Sequence, residues 1–535
     1  GGMGTMLQAA GLKLGARPEE LNITDPALIE GIHAQYAAAG SRIVNANTFG
    51  ASAHKLAGSA YTLEQIITAG IENCKRACAP YGALTALDVG PLGELLEPSG
   101  TLAFEDAVAE YARIVKAGEA AGADLIFFET YTDLYELKAA LLAAKENTRL
   151  PILASMSFEA GGRTFTGCTV ESFAATARGL GADAVGINCS LGPKEIFPMA
   201  KRLAEAVPGN FPVFVKPNAG LPRADGSGYD ITPQLFALQM KPYRELHLFA
   251  AGGCCGTTPE FIKLLNGTFA GCTPGRPAHR MPSVLCTPVD TVTVDGITVV
   301  GERINPTGKK RFQQALREGD MNYVLEQAVS QAEAGAQILD VNVGAPGVDE
   351  PVLMEQVVKA LQSVTSLPLQ LDSSNVEALA RGLRVYNGKP IVNSVNGEDE
   401  KLDDIMQGAI DGGDAGYEVT GMSTVTVYAG EDAQQLGQRL GFTGTDLENF
   451  VATVARYNEL CEKGVDEDFA KEPVLLRPLN GKHIFAYGAE KSMGSMLVTT
   501  GGLLTDDNSQ VLGEDFEPIK GLFAAGNNCG GRFGF

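Results

Sequence analysis

The chain has 535 residues, of which 45% are hydrophobic and 20% are charged, a composition typical of a folded protein with two to four domains. Its formal net charge of −22 argues against a nucleic-acid partner, because binding a phosphate backbone requires clustered Lys and Arg. The sequence shows neither an apolar run of about 18 residues, which would span a membrane, nor a basic, apolar leader. We therefore expect a cytoplasmic protein whose ten cysteines are mostly reduced.

The first half of the chain alternates short apolar runs with amphipathic helical stretches. The apolar runs cover residues 41–50, 85–91, 121–130, 150–158, 181–190, 211–220 and 247–256. Such alternation indicates an α/β fold with a parallel sheet whose two faces are covered. Together with an N-terminal strand partly lost before GGMGT, the seven runs predict a (β/α)8 TIM barrel over residues 1–271.

A second α/β unit is predicted after a proline-rich linker at residues 272–296. Further apolar runs cover residues 297–308, 334–346, 367–375 and 389–398. They predict the first four strands of a second barrel over residues 297–406. A complete barrel takes roughly 250 residues, and the pattern ends near residue 406, so we expect only a partial TIM-type barrel here.

Three cysteines carry the strongest functional signal in the chain. Cys189 ends the fifth apolar run, and Cys254 and Cys255 end the seventh. Because the carboxyl ends of barrel strands converge on one face, we expect the three thiols to lie together. Three sulfur ligands and an open fourth position are typical of catalytic zinc. The alternative is that they are small buried apolar residues, as isolated cysteines often are.

The remaining cysteines are interpreted as bystanders because no further ligand type accompanies them. They are Cys74, Cys78, Cys168, Cys272, Cys286, Cys461 and Cys529.

The segments GGMGTM, NANTFG, GINC and GGCCGT resemble the homocysteine S-methyltransferase domain of cobalamin-dependent methionine synthases over nearly all of residues 1–270. The resemblance implies Zn²⁺ on Cys189, Cys254 and Cys255, with the homocysteine sulfur as the fourth ligand. A free thiol is mostly protonated at neutral pH, and zinc coordination converts it into a bound thiolate. These cysteines are therefore both the metal ligands and the expected catalytic residues.

The same resemblance implies a binding site for the amino-acid part of homocysteine. Glu129 would hold the substrate ammonium, and the loop containing Gly1, Gly2 and Thr5 would approach the carboxylate. Further lining residues are expected to be Asn47, Asn188 and Asn218. For Glu129 the alternative is a carboxylate that only supports a neighbouring site residue or is solvated.

The second unit contains VGERINPTG, ILDVNVGAP, LQLDSSN and IVNSVNGE, which resemble the pterin-binding domain of the same enzymes. Asn and Asp side chains can pair with the amide and amine edge of a pterin ring. The cofactor-binding residues implied are Asn305, Asp340, Asn342, Asp372 and Asn393. Their alternative role is to form caps and turns of βα loops. The absence of strands five to eight leaves a sheet edge uncovered and argues against folate binding here.

Residues 407–535 change in character. The segments ENFVATVARYNELCEKGVDEDF, TTGGLLTDDNSQVL and PIKGLFAAGNNCGGRFG resemble the C-terminal portion of fumarate-reductase-type FAD flavoproteins, an α+β fragment. The GxGxxG phosphate loop of such proteins is absent from the chain, so we do not expect bound FAD. The alternative is a stray fragment, which would make the chain a fused or misassembled reading frame.

The resulting hypothesis is zinc-dependent methyl transfer to homocysteine, giving methionine. The resemblance implies methylcobalamin as the methyl donor, recharged from methyltetrahydrofolate. The sequence lacks a D-x-H-x-x-G corrinoid motif, so the corrinoid is expected on a separate protein or domain. The first alternative is an FAD-dependent oxidoreductase fragment fused to an inactive methyltransferase remnant. The second is a zinc- or pterin-binding remnant without catalysis.

Overall fold

The computed structural model describes residues 1–13, 15–223, 228–277, 281–294 and 297–393, together with short segments between residues 417 and 530. The first unit contains one parallel sheet of seven strands that pair in sequential order. The strands are β1 (Ile43–Asn45), β2 (Leu84–Val89), β3 (Leu125–Tyr131), β4 (Ile152–Met156), β5 (Ala184–Asn188), β6 (Val213–Lys216) and β7 (Ala250–Ala251). Each strand overlaps one of the seven apolar runs, with β2 and β3 each extending one residue beyond its run, so the prediction of a parallel α/β sheet is confirmed.

Helices precede the first strand and follow the others. They are α1 (Met3–Ala9), α2 (Leu21–Thr24), α3 (Pro26–Ala38), α4 (Leu63–Cys78), α5 (Phe104–Ala120), α6 (Leu134–Asn147), α7 (Val170–Gly179), α8 (Pro193–Glu205), α9 (Pro233–Gln239) and α10 (Pro259–Phe269), with 3₁₀ turns at Pro18–Glu20, Ala79–Tyr81 and Lys241–Leu246. Local sequence sets where several of them begin. Thr62 and Gln65 form a reciprocal capping box at the start of α4.

The sheet of the first unit has two different apolar faces. The outer face packs against the helices in a large core that includes Leu87, Ile126 and Phe128. The inner face has a small core of its own, to which all seven strands contribute: Ile43, Ala86, Leu125, Phe127, Leu153, Ala184, Phe214 and Ala250. Side chains from seven consecutive strands can meet only if the sheet curls around that face.

The two ends of the sheet are joined by hydrogen bonds. The hydroxyl of Tyr36, on α3 before β1, donates to the backbone oxygen of Thr257, after β7, at 2.8 Å. The backbone nitrogen of Gly2 donates to the same oxygen at 3.0 Å. The N-terminal segment therefore lies beside the turn that carries Cys254 and Cys255.

Part of the predicted linker is ordered. An antiparallel hairpin of β8 (Ser283–Cys286) and β9 (Thr291–Val294) lies within residues 272–296. Its second strand, TVTV, is rich in β-branched residues, and this favours a strand over an irregular linker. The proline content obscured that signal.

The second unit is a four-stranded parallel sheet with its own apolar core. Its strands are β10 (Val300–Ile304), β11 (Ile338–Val341), β12 (Leu369–Asp372) and β13 (Ile391–Asn393), and its helices are α11 (Lys310–Glu318), α12 (Met321–Glu333), α13 (Glu350–Leu361) and α14 (Val376–Val385). All four strands fall in the predicted runs.

The two units meet where α6 of the first contacts α14 of the second. Lys138 is buried and donates from Nζ to the backbone oxygen of Leu383 at 2.6 Å and to that of Tyr386. Arg384 forms ion pairs with Glu105 and Glu146. The lysine thus supplies a donor at the end of α14, where intrahelical donors run out, although the Leu383 oxygen also accepts the N–H of Tyr386 at 3.3 Å.

Beyond residue 393, two helices are described, Ala433–Arg439 and Gly444–Lys463. Short strands occupy Tyr417–Glu418, Thr426–Gly430, Ile484–Tyr487, Leu503–Leu504, Gln510–Leu512, Pro518–Phe523 and Cys529–Gly530. Most of the flavoprotein-like segment predicted over residues 407–535 lies outside the described residues. Within the described part of the chain, no helix is both long enough and apolar enough to cross a membrane.

Candidate metal and substrate site

A layer of polar side chains follows the inner apolar core toward the carboxyl ends of the strands. Side chains in a strand alternate between its faces, so residues an even number of positions beyond the inner core share its face. These residues are Asn45, Asp88, Glu129, Ser155, Asn188 and Lys216. The curled sheet therefore directs them toward one mouth.

The structure brings the three predicted cysteines together at this mouth. The sulfur atoms of Cys189, Cys254 and Cys255 all lie within 4.8 Å of one another, and those of Cys189 and Cys255 are 3.8 Å apart. Zn–S bonds of about 2.3 Å in a tetrahedral arrangement place sulfur ligands about 3.8 Å apart. The three thiols are therefore spaced for a single ion, and they form the one such group among the described residues.

Unusual backbone conformations direct the thiols inward. Cys189 has a φ of 63° and the following Ser190 a φ of 59°, a left-handed turn immediately after β5. Gly256 has a φ of 78°, and a Cβ at this position would clash with the ring of Tyr229. Non-glycine residues with positive φ are uncommon and concentrate at functional sites.

Two asparagines connect the thiols to the strands. The Nδ2 atom of Asn188 donates to Thr130 Oγ1 at 2.8 Å and lies 3.8 Å from the sulfur of Cys254. The Oδ1 atom of Asn218 accepts the backbone N–H of Cys255 at 3.0 Å. Both side chains thus hold the cysteine-bearing loops in place, and this role does not depend on a bound ligand.

The electrostatic environment of the thiols favours a cation. The pKa of Cys189 is lowered by its hydrogen bond to Cys254, but the hydrogen bond to Cys255 and burial outweigh this and raise it to about 11. The pKa of Cys255 is likewise raised to about 11, because the lowering by Cys189 is outweighed by its interaction with Cys254 and by burial. The pKa of Cys254 is also raised, because its hydrogen bond to Cys189 and burial together outweigh the opposite effect of its hydrogen bond to Cys255. Three thiolates are therefore unfavourable by themselves, and a divalent cation would reverse this by stabilising the ionised forms.

Charged side chains lie in the same layer as Asn188. Glu129 forms an ion pair with Lys216, and the two side chains are only 9% and 13% exposed. Asp88 is buried, and its Oδ1 atom accepts no hydrogen bond from the described residues. Burial, and then the neighbouring Glu129, raise the pKa of Asp88 well above its usual value. The mouth thus contains two carboxylates and one ammonium beside the thiols.

The N-terminal residues expected at the substrate carboxylate lie close to the cysteine pair. Thr5 Oγ1 accepts the backbone N–H of Gly256 at 3.0 Å, and Gly2 is bound to Thr257 as described above. Gly1 lies against the ring of Tyr36.

Asn47 has a different environment. Its Nδ2 atom donates to the backbone oxygen of Pro18 at 2.8 Å and to Asn22 Oδ1 at 2.9 Å, so its amide donors hold the loop after β1 in place.

Five residues were predicted to bind a pterin, and they lie together at the carboxyl ends of β10 to β13. Asn342 Nδ2 donates to Asp372 Oδ2 at 3.0 Å, and Asp372 pairs in register with Asn393. Gln370 donates to Asp340 at 2.6 Å, and burial raises the pKa of Asp340 to about 6.

Two of these residues also have the alternative role considered for them. Asn305 accepts the N–H of Thr307 at 3.0 Å, and Asn342 that of Gly344 at 2.9 Å, bonds typical of βα turns.

Asp88 and Lys216 were not predicted as site residues. Both end apolar runs, in DVGP and FVKPN, and that position was the available signal. Among the cysteines interpreted as bystanders, Cys74, Cys78, Cys168 and Cys286 are buried in apolar surroundings, and none of the described ones joins the three-thiol group.

Comparison with known proteins identifies the family to which the chain belongs. Residues 1–269 match the family model for homocysteine S-methyltransferase, and the chain belongs to that family. Residues 301–467 match the model for pterin binding enzymes, which extends beyond the boundary predicted at residue 406.

Two of the similar curated proteins are methionine synthases of Mycobacterium tuberculosis and Mycobacterium leprae. Each is 32% identical, over 425 and 432 residues respectively, and the aligned part is 75% of this chain. The chain spans 35% of the length of these relatives. The flavoprotein resemblance of the last segment finds no support in these matches.

Similar solved structures include a homocysteine methyltransferase of Escherichia coli. Its oxidised form is 23% identical with a TM-score of 0.43, and its metallated form is 24% identical with a TM-score of 0.41. Each match covers 50% of this chain and 93% of the other.

Proposed function

We propose that the chain transfers a methyl group to the thiol of homocysteine, giving methionine, at a zinc ion held by Cys189, Cys254 and Cys255. The observation that carries the proposal is the spacing of the three sulfur atoms, which matches the spacing of zinc ligands. Family membership supports the choice of substrate.

The proposed architecture places the catalytic unit at residues 1–271 as a (β/α)8 barrel of which seven strands are described. Residues 272–296 connect it to a pterin-binding unit that begins at residue 297, a partial barrel, and the family match extends that unit past the predicted boundary at residue 406. The consecutive parallel strand order and the inner core shared by all seven strands support the first of these assignments.

In the proposed mechanism, zinc supplies Lewis-acid activation that keeps the substrate sulfur a thiolate at neutral pH. Cys189, Cys254 and Cys255 would hold the ion, and the substrate sulfur would bind to it beside them. Glu129 and Asp88 provide negative charge for the substrate ammonium. Gly1, Gly2 and Thr5 border the side of the mouth beside the cysteine pair, where the substrate carboxylate would lie.

The methyl donor is proposed to be methylcobalamin presented by a separate corrinoid-carrying protein or domain and recharged from methyltetrahydrofolate. The match to pterin binding enzymes and the cluster of Asp340, Asn342 and Asp372 support the folate assignment. The free thiols of the first unit fit a reducing compartment, and we place the activity in the cytoplasm.

Zinc stoichiometry and X-ray absorption test the proposal. The wild-type protein should bind one zinc with three sulfur ligands, and homocysteine should raise the count to four. Cys254→Ala should lose zinc, whereas Cys272→Ala, which changes a cysteine outside the three-thiol group, should retain it. Equal zinc binding by the two variants, or an unchanged sulfur count with homocysteine, would refute the proposed site.

A second assay addresses the reaction. The zinc-loaded protein should convert homocysteine and methylcobalamin to methionine, detected by mass spectrometry. Zinc binding without methionine formation would leave a binding remnant as the better description.

A further inference from the structure

Lys216 is the one cationic side chain of the polar layer formed by the described strands. It ends β6, and its ammonium pairs with Glu129 and lies 4.5 Å from the centre of the Phe127 ring. Burial by itself would lower the pKa of Lys216, but Glu129 and Asp88 outweigh burial and raise it. The side chain therefore carries a permanent positive charge inside the proposed substrate site.

The position of Lys216 is built into the backbone that carries the thiols. Its backbone oxygen accepts the N–H of Cys189 at 3.0 Å. Its stem passes over the end of β7, where a Cβ on Gly252 would lie 3.2 Å from Lys216 Cγ. The ammonium is thus held in the layer and cannot be treated as a mobile surface charge.

One carboxyl group of the layer has no cationic partner. The layer contains the carboxyl groups of Asp88 and Glu129 and the single ammonium of Lys216. Since Lys216 pairs with Glu129, Asp88 is the carboxyl group with an oxygen that lacks a partner among the described residues. Burial raises the pKa of Asp88, and a counter-charge beside it would favour its ionised form. A zwitterionic amino acid has one ammonium to supply it and one carboxylate that the Lys216 charge attracts.

We propose that Lys216 is a specificity-determining residue, which compensates Glu129 so that the mouth selects zwitterionic amino-acid thiols over cationic aminothiols. The proposal rests on the proposed function, because it assumes that the substrate thiol binds at the three-cysteine site. It goes further by assigning the amino-acid selectivity to a charge balance set by one lysine.

Removing the positive charge of Lys216 should change the relative affinity for the two kinds of thiol in a defined direction. Without it, the layer holds two carboxylates and attracts a cationic ligand more strongly, while the carboxylate of a zwitterion loses an attractive partner. The preference for homocysteine over its analogue without the carboxylate, 3-aminopropane-1-thiol, should therefore fall at least tenfold in Lys216→Met. Binding of 4-sulfanylbutanoate, which has the carboxylate and no ammonium, should weaken.

The experiment measures dissociation constants of the three thiols on zinc-loaded protein by calorimetry, with the sulfur count at zinc as a second readout. Lys216→Arg should keep the wild-type preference. The double variant Lys216→Met/Glu129→Gln restores a single negative charge and should recover most of it. Lys138→Met is the matched control, since it removes a buried lysine that contacts α14 and not the mouth.

The outcomes separate this inference from the proposed function. If zinc in the wild-type protein gains no sulfur from homocysteine, the proposed function fails before any variant is compared. If it does gain one and Lys216→Met keeps the wild-type preference, the role of Lys216 is wrong. The same conclusion holds if Lys138→Met shifts the preference equally, or if the double variant behaves like the single one. Should Lys216→Met fail to fold, Lys216→Gln removes the charge while keeping a hydrogen-bond donor to Glu129, and the same comparison applies.

Discussion

His33 allows a quantitative prediction about the stability of the first unit. The residue lies on α3 and is 1% exposed, and neither ring nitrogen has a hydrogen-bond partner among the described residues. Burial lowers its pKa from 6.5 to about 4. Between pH 6.5 and pH 4 His33 is therefore protonated in the unfolded state and neutral in the native state. The free energy of unfolding consequently falls as the pH falls from above 6.5 toward 4.

The size of the effect follows from the two pKa values. A difference of about 2.5 pH units corresponds to at most roughly 3.4 kcal/mol, and between pH 8 and pH 5 the loss is about 2 kcal/mol. His33→Leu removes this term, and it also removes two buried nitrogens without partners, a change worth about 1–3 kcal/mol at any pH. The variant should therefore be more stable than wild type, and its advantage should grow by about 2 kcal/mol between pH 8 and pH 5.

Urea denaturation at pH 8 and pH 5, followed by circular dichroism and by hydrogen exchange of α3 peptides, measures the difference. Comparing variant with wild type at each pH cancels other titrating groups. His54→Gln, at a half-exposed histidine paired with Glu94, serves as the control and should change the difference little. A stability difference that is the same at both pH values would show that His33 is protonated in the native state or has a partner there, and would refute the reasoning.

Three further predictions concern the other sites. Gly256→Ala should abolish zinc binding in a metal-competition assay, because its Cβ meets the Tyr229 ring at a positive φ; Gly271→Ala, with a φ of 74° and open space around it, should retain zinc. Lys138→Met removes the Nζ donor shared by the carbonyl groups of Leu383 and Tyr386 and should weaken the contact between the units by about 1–3 kcal/mol, seen as faster hydrogen exchange in α14 with unchanged exchange in the strands of the first unit. Asp372→Ala should weaken methyltetrahydrofolate binding at least tenfold in fluorescence titration without changing zinc content, and equal binding would remove this carboxylate from the proposed pterin site.

The strands were predictable because each is a short apolar run between a helix and a polar terminus. The convergence of Cys189 with Cys254 and Cys255 was predictable for the same reason, since the carboxyl ends of parallel strands share one edge. These inferences need only the order of elements along the chain.

The unpredicted features depend on partners distant in sequence. The pairing of Glu129 with Lys216 joins strands that are not neighbours in the sheet, and nothing local to either residue announces the other. Asn47 has the motif of a site residue, yet its amide is used by Pro18 and Asn22. The hairpin after residue 282 was hidden by Pro282 before it and Pro288 in its turn. The predicted flavoprotein-like segment stays a prediction, since most of it lies outside the described residues.

The polar layer is built into the sheet itself, immediately above a plug of Phe127 and Phe214, whose rings lie 5.0 Å apart. Its members are therefore fixed by backbone pairing, and insertions or deletions in the surrounding surface loops need not displace them. Descendants of this chain could exchange those loops for new docking partners while the layer kept its arrangement. A change of substrate specificity would instead require substitution of one of these few side chains at the strand ends. The neighbouring side chain that it contacts would have to be substituted as well.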